Sequence, residues 1–212
     1  RAGETNLLIY YGKPGPFQVT QEIYFDFIPV RTYLTSGIWK IHLHGKRIRE
    51  GNYNLWLPGG NVLNPVTGFY RPVASETLTI PSTAAKVITV GAYDPVYDTY
   101  ADFSGRGYAD STRTIGVTAA GLTKPDLVAP GVNIQAPDVY GSFLPVTGTS
   151  FATPIVSGAA ALLMEWGIVQ GNDPFLYGEK IKAYLRKGAR PLRGEREYPN
   201  DRVGADDIIV SS

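Results

Sequence analysis

The run Lys86-Val87-Ile88-Thr89-Val90-Gly91 constrains the fold more than any other stretch of these 212 residues. Its apolar, β-branched residues do not alternate with polar ones, which predicts a strand buried on both faces of a parallel sheet. A second, shorter run, Asp126-Leu127-Val128-Ala129-Pro130-Gly131, is closed by Pro and Gly. Such strands need helices over them, and two are predicted. Residues 150–166 read as a compact apolar helix. Residues 172–187 read as a second, with Asp173 as N-cap, Pro174 in the first turn, Gly188 just past the last, and Ile181, Tyr184 and Leu185 as its apolar stripe. Strands mixed with helices indicate α/β from about residue 80 onward.

The first third of the chain has another character. Leu7-Leu8-Ile9-Tyr10-Tyr11 and residues 21–28, 38–43 and 53–57 are short runs of β-formers, separated by turn signals such as Lys13-Pro14-Gly15-Pro16 and Glu50-Gly51-Asn52. Trp39, Ile41 and Leu43 alternate with Lys40, His42 and His44. No helical periodicity is visible. The expectation is two domains: an antiparallel β-sandwich or jelly roll over 1–79, with Trp39, Ile41 and Trp56 in its core, and an α/β part over 80–212.

Composition excludes several functions. There is no Cys, so thiol catalysis, Cys-ligated zinc and disulfides are ruled out. Twenty Lys+Arg against 19 Asp+Glu, with no basic stripe, point to no nucleic-acid partner. No apolar run approaches the ~18 residues of a membrane span; residues 155–164 are apolar but short, which suits a buried helix. The chain opens Arg1-Ala2-Gly3-Glu4-Thr5, without a signal-peptide core, and is expected to be a fragment or a processed product.

The chemistry concentrates in Thr147-Gly148-Thr149-Ser150-Phe151-Ala152-Thr153-Pro154. Gly148 permits a tight turn that delivers Ser150 to the mouth of a helix, where backbone N–H groups and the helix dipole stabilise a developing anion. Ala152, Gly158, Ala159 and Ala160 are small enough to let that helix lie close to a sheet, and Pro154 falls where the first turn has no N–H bond to lose. A Ser in this place also serves simply as a cap. His42 and His44 project from one side of a predicted strand; that spacing can bind a metal, but a solvated strand face is the expected reading and no metal site is assigned. Asp94, Asp98 and Asp102 invite calcium, yet their spacing matches no EF-type loop. Asp126, before its strand, could orient a base for Ser150.

Gly148-Thr149-Ser150-Phe151-Ala152-Thr153-Pro154 resembles the nucleophile signature of the subtilisin-like serine proteases. Residues 87–94 followed by Phe103-Ser104-Gly105-Arg106-Gly107, and then 124–132, are similar to that family's preceding elements in the same order. The resemblance implies the C-terminal part of a parallel-sheet α/β fold and a serine endopeptidase acting on protein or peptide substrates; no cofactor is expected, and a structural calcium is left open. Ser150 is the implied catalytic residue, and Asp126 falls where the resemblance implies a structural acid. The family's chain order is Asp, His, Ser. Its Asp turn, its His-Gly-Thr-His helix start and its oxyanion Asn turn have no counterpart here, so those groups are expected from an N-terminal part that acts as partner. The β-rich first third resembles the jelly-roll insert of the clostridial germination proteases of the Csp group, which implies a bacterial, secreted or spore-associated protein. Such families also include members that lost triad residues, so a non-catalytic regulatory protein is the alternative.

Overall fold

The computed structural model describes residues 2–16, 21–48, 51, 53–58, 66–107, 123–198 and 200–204. The described residues fall into two compact units that meet in sequence at Leu55 and Trp56.

In the first unit, strands β1 (Thr5–Tyr11) and β2 (Ile23–Pro29) pair antiparallel, with Leu7 opposite Phe27 and Ile9 opposite Phe25. Thr5 is fully buried, and its hydroxyl accepts the N–H of Thr35 at 2.8 Å, tying the following segment to the strand start. Phe27 meets Trp39 edge to face at 5.1 Å. Two of the four expected strands are thus present. Residues 38–43 and 53–57 form no strand among the described residues, and Trp39, Ile41 and Trp56 are all exposed rather than in a core. Alternation prescribes a face, but a strand also needs a neighbour to satisfy its backbone groups. Among the described residues these segments have none.

The second unit contains the sheet. β3 (Val90–Asp94) runs parallel to β5 (Leu127–Pro130), with Val90 opposite Leu127 and Ala92 opposite Ala129, and β4 (Thr99–Tyr100) turns back antiparallel along its edge. All four residues of β5 are buried, as the unbroken apolar pattern requires. β3 starts later than the expected residue 86 because the carbonyls of Ala85 and Val87 accept lysine ammonium groups instead of ladder N–H groups. Glu76 and Thr77 donate their N–H groups to Gly107 and Arg106. These residues precede the expected boundary at Thr79, yet they are held by the second unit.

β6 (Ile134–Pro137) and β7 (Phe143–Val146) form a separate antiparallel ribbon that leads into α1 (Thr149–Met164). Ala152 and Val156 are the buried residues of α1, packed with Ala92, Leu127 and Ala129 of the sheet. Ala159 and Ala160 pack beside them as expected, but Gly158 has open space around it and makes no close approach. The helix runs on beyond residue 166 as a π turn, Glu165–Val169. The continuous 21-residue helix is, by length and composition alone, long and apolar enough to cross a membrane, which the shorter apolar run in the sequence did not suggest. Its contact with β3 and β5 through Ala152 and Val156 makes it the core helix of this unit.

The last helix, α2 (Glu179–Lys187), is shorter than expected. Asp173 does not cap it. Leu176 turns inward to become fully buried, which breaks the helix before it can start, and Asp173 instead pairs with Lys180 at 2.6 Å. Ile181 and Leu185 are buried as the stripe predicts, whereas Tyr184 lies half-exposed against Trp166.

Candidate active site

Gly148 is the N-cap of α1 at φ 155° and ψ 157°, a backbone conformation that side-chain-bearing residues rarely adopt. It reverses the chain between β7 and α1 and sets Ser150 in the first helical turn. Ser150 is exposed. No side chain caps α1, so the capping role open to Ser150 is not the one it takes. Among the described residues neither its hydroxyl nor its N–H has a hydrogen-bond partner. An exposed hydroxyl beside open amides at a helix N-terminus is free to meet an external carbonyl.

Pro154 lies in the second turn of α1, not the first. Its missing N–H would have bonded the carbonyl of Ser150, four residues back. The ladder therefore does not hold Ser150. Two other bonds position its turn: Gly148 donates its N–H to the carbonyl of Gly131 at 2.8 Å, and Thr147 Oγ1 accepts the N–H of Asn133 at 3.0 Å. Both partners lie just beyond the end of β5. The Ser150 turn is thus fastened to the end of β5 as well as to its own helix, where the Gly148 carbonyl accepts the N–H of Phe151 at 3.1 Å.

Gly131 makes that fastening possible. A Cβ there would sit 2.6 Å from Ala92 Cβ and 3.2 Å from the carbonyl oxygen of Gly148. Any side chain would push β5, β3 and the turn apart. Gly131→Ala is expected to cost roughly 1–3 kcal/mol in denaturant unfolding, the range for overpacking, and to displace the Ser150 turn. Unchanged stability would mean the contact relaxes freely.

At the other end of β5, where the strand begins, lies a buried charge cluster. Asp126 Oδ2 accepts the N–H of Thr89 at 2.8 Å and the ammonium of Lys124 at 2.6 Å, while Oδ1 pairs with Lys182 at 2.6 Å. Lys124 also donates to the carbonyl of Val87 at 2.7 Å and to the Thr89 hydroxyl at 3.0 Å. One carboxylate thus joins the entry to β5, the entry to β3 and helix α2. Asp126 is structural, as expected. Its two lysines were missed: Lys124 stands two residues from it, but Lys182 lies 56 positions away and gives no local sign.

Burial, with the Lys182 charge nearby adding to it, holds the Lys124 ammonium below its usual 10.5, against the opposing pull of Asp126. The folded protein therefore binds fewer protons here than the unfolded one over the interval below 10.5. Stability from this group rises with pH through that interval and is lowest beneath it. Urea titrations at increasing alkaline pH are expected to show the parent gaining on a Lys124→Met variant; a constant gap would contradict the sign.

The other candidates are not brought to Ser150 by anything described. His42 and His44 are exposed, in the first unit, and outside any described strand. Asp94 Oδ1 accepts the N–H groups of Val96 and Tyr97. Asp98 is engaged by both terminal nitrogens of Arg190, at 3.0 and 2.9 Å, and this hydrogen bonding draws its carboxyl below the usual carboxylate range.

The family model for subtilases matches residues 50–205. The chain belongs to the subtilase family. The serine protease AprX of Bacillus subtilis is 34% identical over 141 residues, 57% of this chain and 28% of that protein. Subtilisin BL of Lederbergia lenta is 32% identical over 132 residues, 62% of this chain and 41% of that protein. The solved structure of the Clostridium perfringens CspB protease superposes with a TM-score of 0.74 at 37% identity, covering 98% of this chain and 41% of that one. This subtilase chain is therefore Csp-like along nearly its whole length, and it spans less than half of the relatives it matches. The element order β3–β5–β6–β7–α1 described above is the subtilase-like α/β part.

Proposed function

We propose that this chain is the nucleophile-bearing C-terminal part of a subtilisin-like serine endopeptidase. The observation that carries the reading is Ser150: exposed, uncapped, and set at the head of the core helix within the subtilase match. Its hydroxyl oxygen attacks a peptide carbonyl, and its proton passes to a His. The C–N bond then breaks with return of that proton to the leaving amine, which leaves an acyl-enzyme for water to cleave. The oxyanion forms beside the Ser150 N–H and an Asn side chain. The His, the Asp that orients it and the Asn come from the N-terminal part of the same protease, because Ile41-His42-Leu43-His44-Gly45 does not match the family's His motif. The β-rich first part of the chain is the inserted domain and the rest the end of the catalytic domain, with the return into it complete by Glu76 rather than at Thr79.

The surface of α1 and of the π turn that continues it supports an N-terminal partner. Leu162 is 67% exposed and Val169 78%, with Met164, Trp166 and Ile168 also uncovered, an apolar extent unusual for a core helix. The protease so formed is bacterial, secreted or spore-associated, and acts on protein or peptide substrates. A fluorophosphonate probe tests the reading: it is expected to label Ser150 in the full-length protease and to label this chain alone negligibly. Strong labelling of the lone chain would place the base within these residues.

A further inference from the structure

The charge cluster at the start of β5 is built like a cation site, but its cations are the chain's own. Five oxygens converge there: the carbonyls of Ala85 and Val87, the hydroxyl of Thr89 and both carboxylate oxygens of Asp126. Carbonyl and carboxylate oxygens are the ligands that hard cations take. Here two ammonium groups take them instead. Lys124 Nζ donates to the Val87 carbonyl at 2.7 Å, to Thr89 Oγ1 at 3.0 Å and to Asp126 Oδ2 at 2.6 Å. Lys182 Nζ donates to the Ala85 carbonyl at 3.0 Å and to that of Val87 at 3.2 Å, and pairs with Asp126 Oδ1 at 2.6 Å.

An ammonium group has three donors and no more. Each of these lysines meets three acceptors, so both are saturated, with Val87 and Asp126 serving the two at once. The separations also suit nitrogen. They run from 2.6 to 3.2 Å, whereas calcium takes roughly 6–8 oxygens at about 2.3–2.6 Å. A structural calcium, left open by the sequence, therefore does not fit this cage with the lysines in place. Nor, among the described residues, do three or more acidic or histidine side chains gather where they could hold a metal. The cage is also internal to one unit: Lys124 and Asp126 are almost fully buried, and all five residues belong to the second unit. Burial of Ile181 and Leu185 docks α2 and so brings Lys182 to its three acceptors.

We propose that this cage is a cation site filled by Lys124 and Lys182, which makes the junction of β3, β5 and α2 independent of metal in solution. A tethered ammonium is present at an effective concentration that no chelator or change of salt lowers. The class of ligand follows from the same geometry. With one lysine truncated, the cage takes a free monovalent cation of ammonium size and does not take a divalent metal.

The test truncates Lys124 to alanine in the full-length protein and follows thermal unfolding at neutral pH. The salts are ammonium, tetramethylammonium and calcium chloride at matched ionic strength; tetramethylammonium has no N–H to donate and is too large for the cage. Lys124→Ala is expected to melt about 3–6 °C higher in ammonium than in tetramethylammonium, the shift that one ligand in excess over its Kd produces. The parent, whose cage is filled, is expected to show no such difference. Equal responses of parent and variant overturn the proposal, and so does a variant that gains more from calcium than the parent does. Lys182→Ala is the second variant, since Lys182 is 13% exposed and its loss is the milder one. The same preference for ammonium is expected there, and its absence overturns the proposal even if Lys124→Ala does not fold. Because the readout is stability, the outcome is independent of Ser150.

Discussion

Replacing Ser150 by alanine in the full-length protease is expected to reduce kcat on peptide substrates by a factor on the order of 10⁶, with KM little changed. That is the size of loss measured when the nucleophile is removed from subtilisin, where the triad acts as a unit. The physical reason is specific to this turn. Ser150 has neither a capping role nor a described hydrogen bond, so its removal leaves no orphaned polar group. The variant should fold and melt like the parent, within about 0.5 kcal/mol, the usual range for a surface substitution. Activity and stability are therefore predicted to separate completely. A fall in Tm matching the fall in rate would mean Ser150 is structural. Retained peptidase activity would mean another residue attacks.

How much of this was legible in the sequence depends on whether the signal was local. The nucleophile turn was readable because Gly148, Ser150 and the small residues behind them act within one turn and one helix. β5 was readable for the same reason, since four consecutive apolar residues can only be buried on both faces. Helix α2 was misjudged at its start because Asp173-Pro174 is a good capping pair, but the core position taken by Leu176 outweighs it. The role of Pro154 was misplaced by one turn because the helix begins at Thr149. In the first unit the alternation at Trp39, Ile41 and Leu43 is genuine, yet a pattern names a face and not a partner. Gly131 carried no sign of its own: its importance comes from Ala92, some 40 positions upstream, arriving within van der Waals distance of it.

The largest structural effect is expected from Asp126→Ala. The wild-type carboxylate is almost fully buried, as is Lys124, and Lys182 is only slightly exposed, with side-chain exposures of 2%, 3% and 13%. Two cations share one anion, so the cluster already holds more positive charge than it neutralises. Removing the anion leaves two ammonium groups facing each other away from water, and the Thr89 N–H loses its acceptor. Breaking a buried pair on one side costs about 3–5 kcal/mol, a large part of a domain's stability of roughly 5–15 kcal/mol. In a chain of this size Tm should fall by roughly 6–20 °C. The cause can be separated from simple loss of packing by a second variant, Asp126→Leu with Lys124→Met and Lys182→Met, which removes every charge together. Well-packed apolar groups often replace a buried ion cluster without loss, so this triple variant is expected to be more stable than Asp126→Ala alone. Because Asp126 joins the entries of β3 and β5, and β5 leads through Gly131 to the Ser150 turn, the single variant should also lose activity before it melts. A single variant within 1 kcal/mol of the parent, or a triple variant no better than the single, would show that the charges do not hold the strands together.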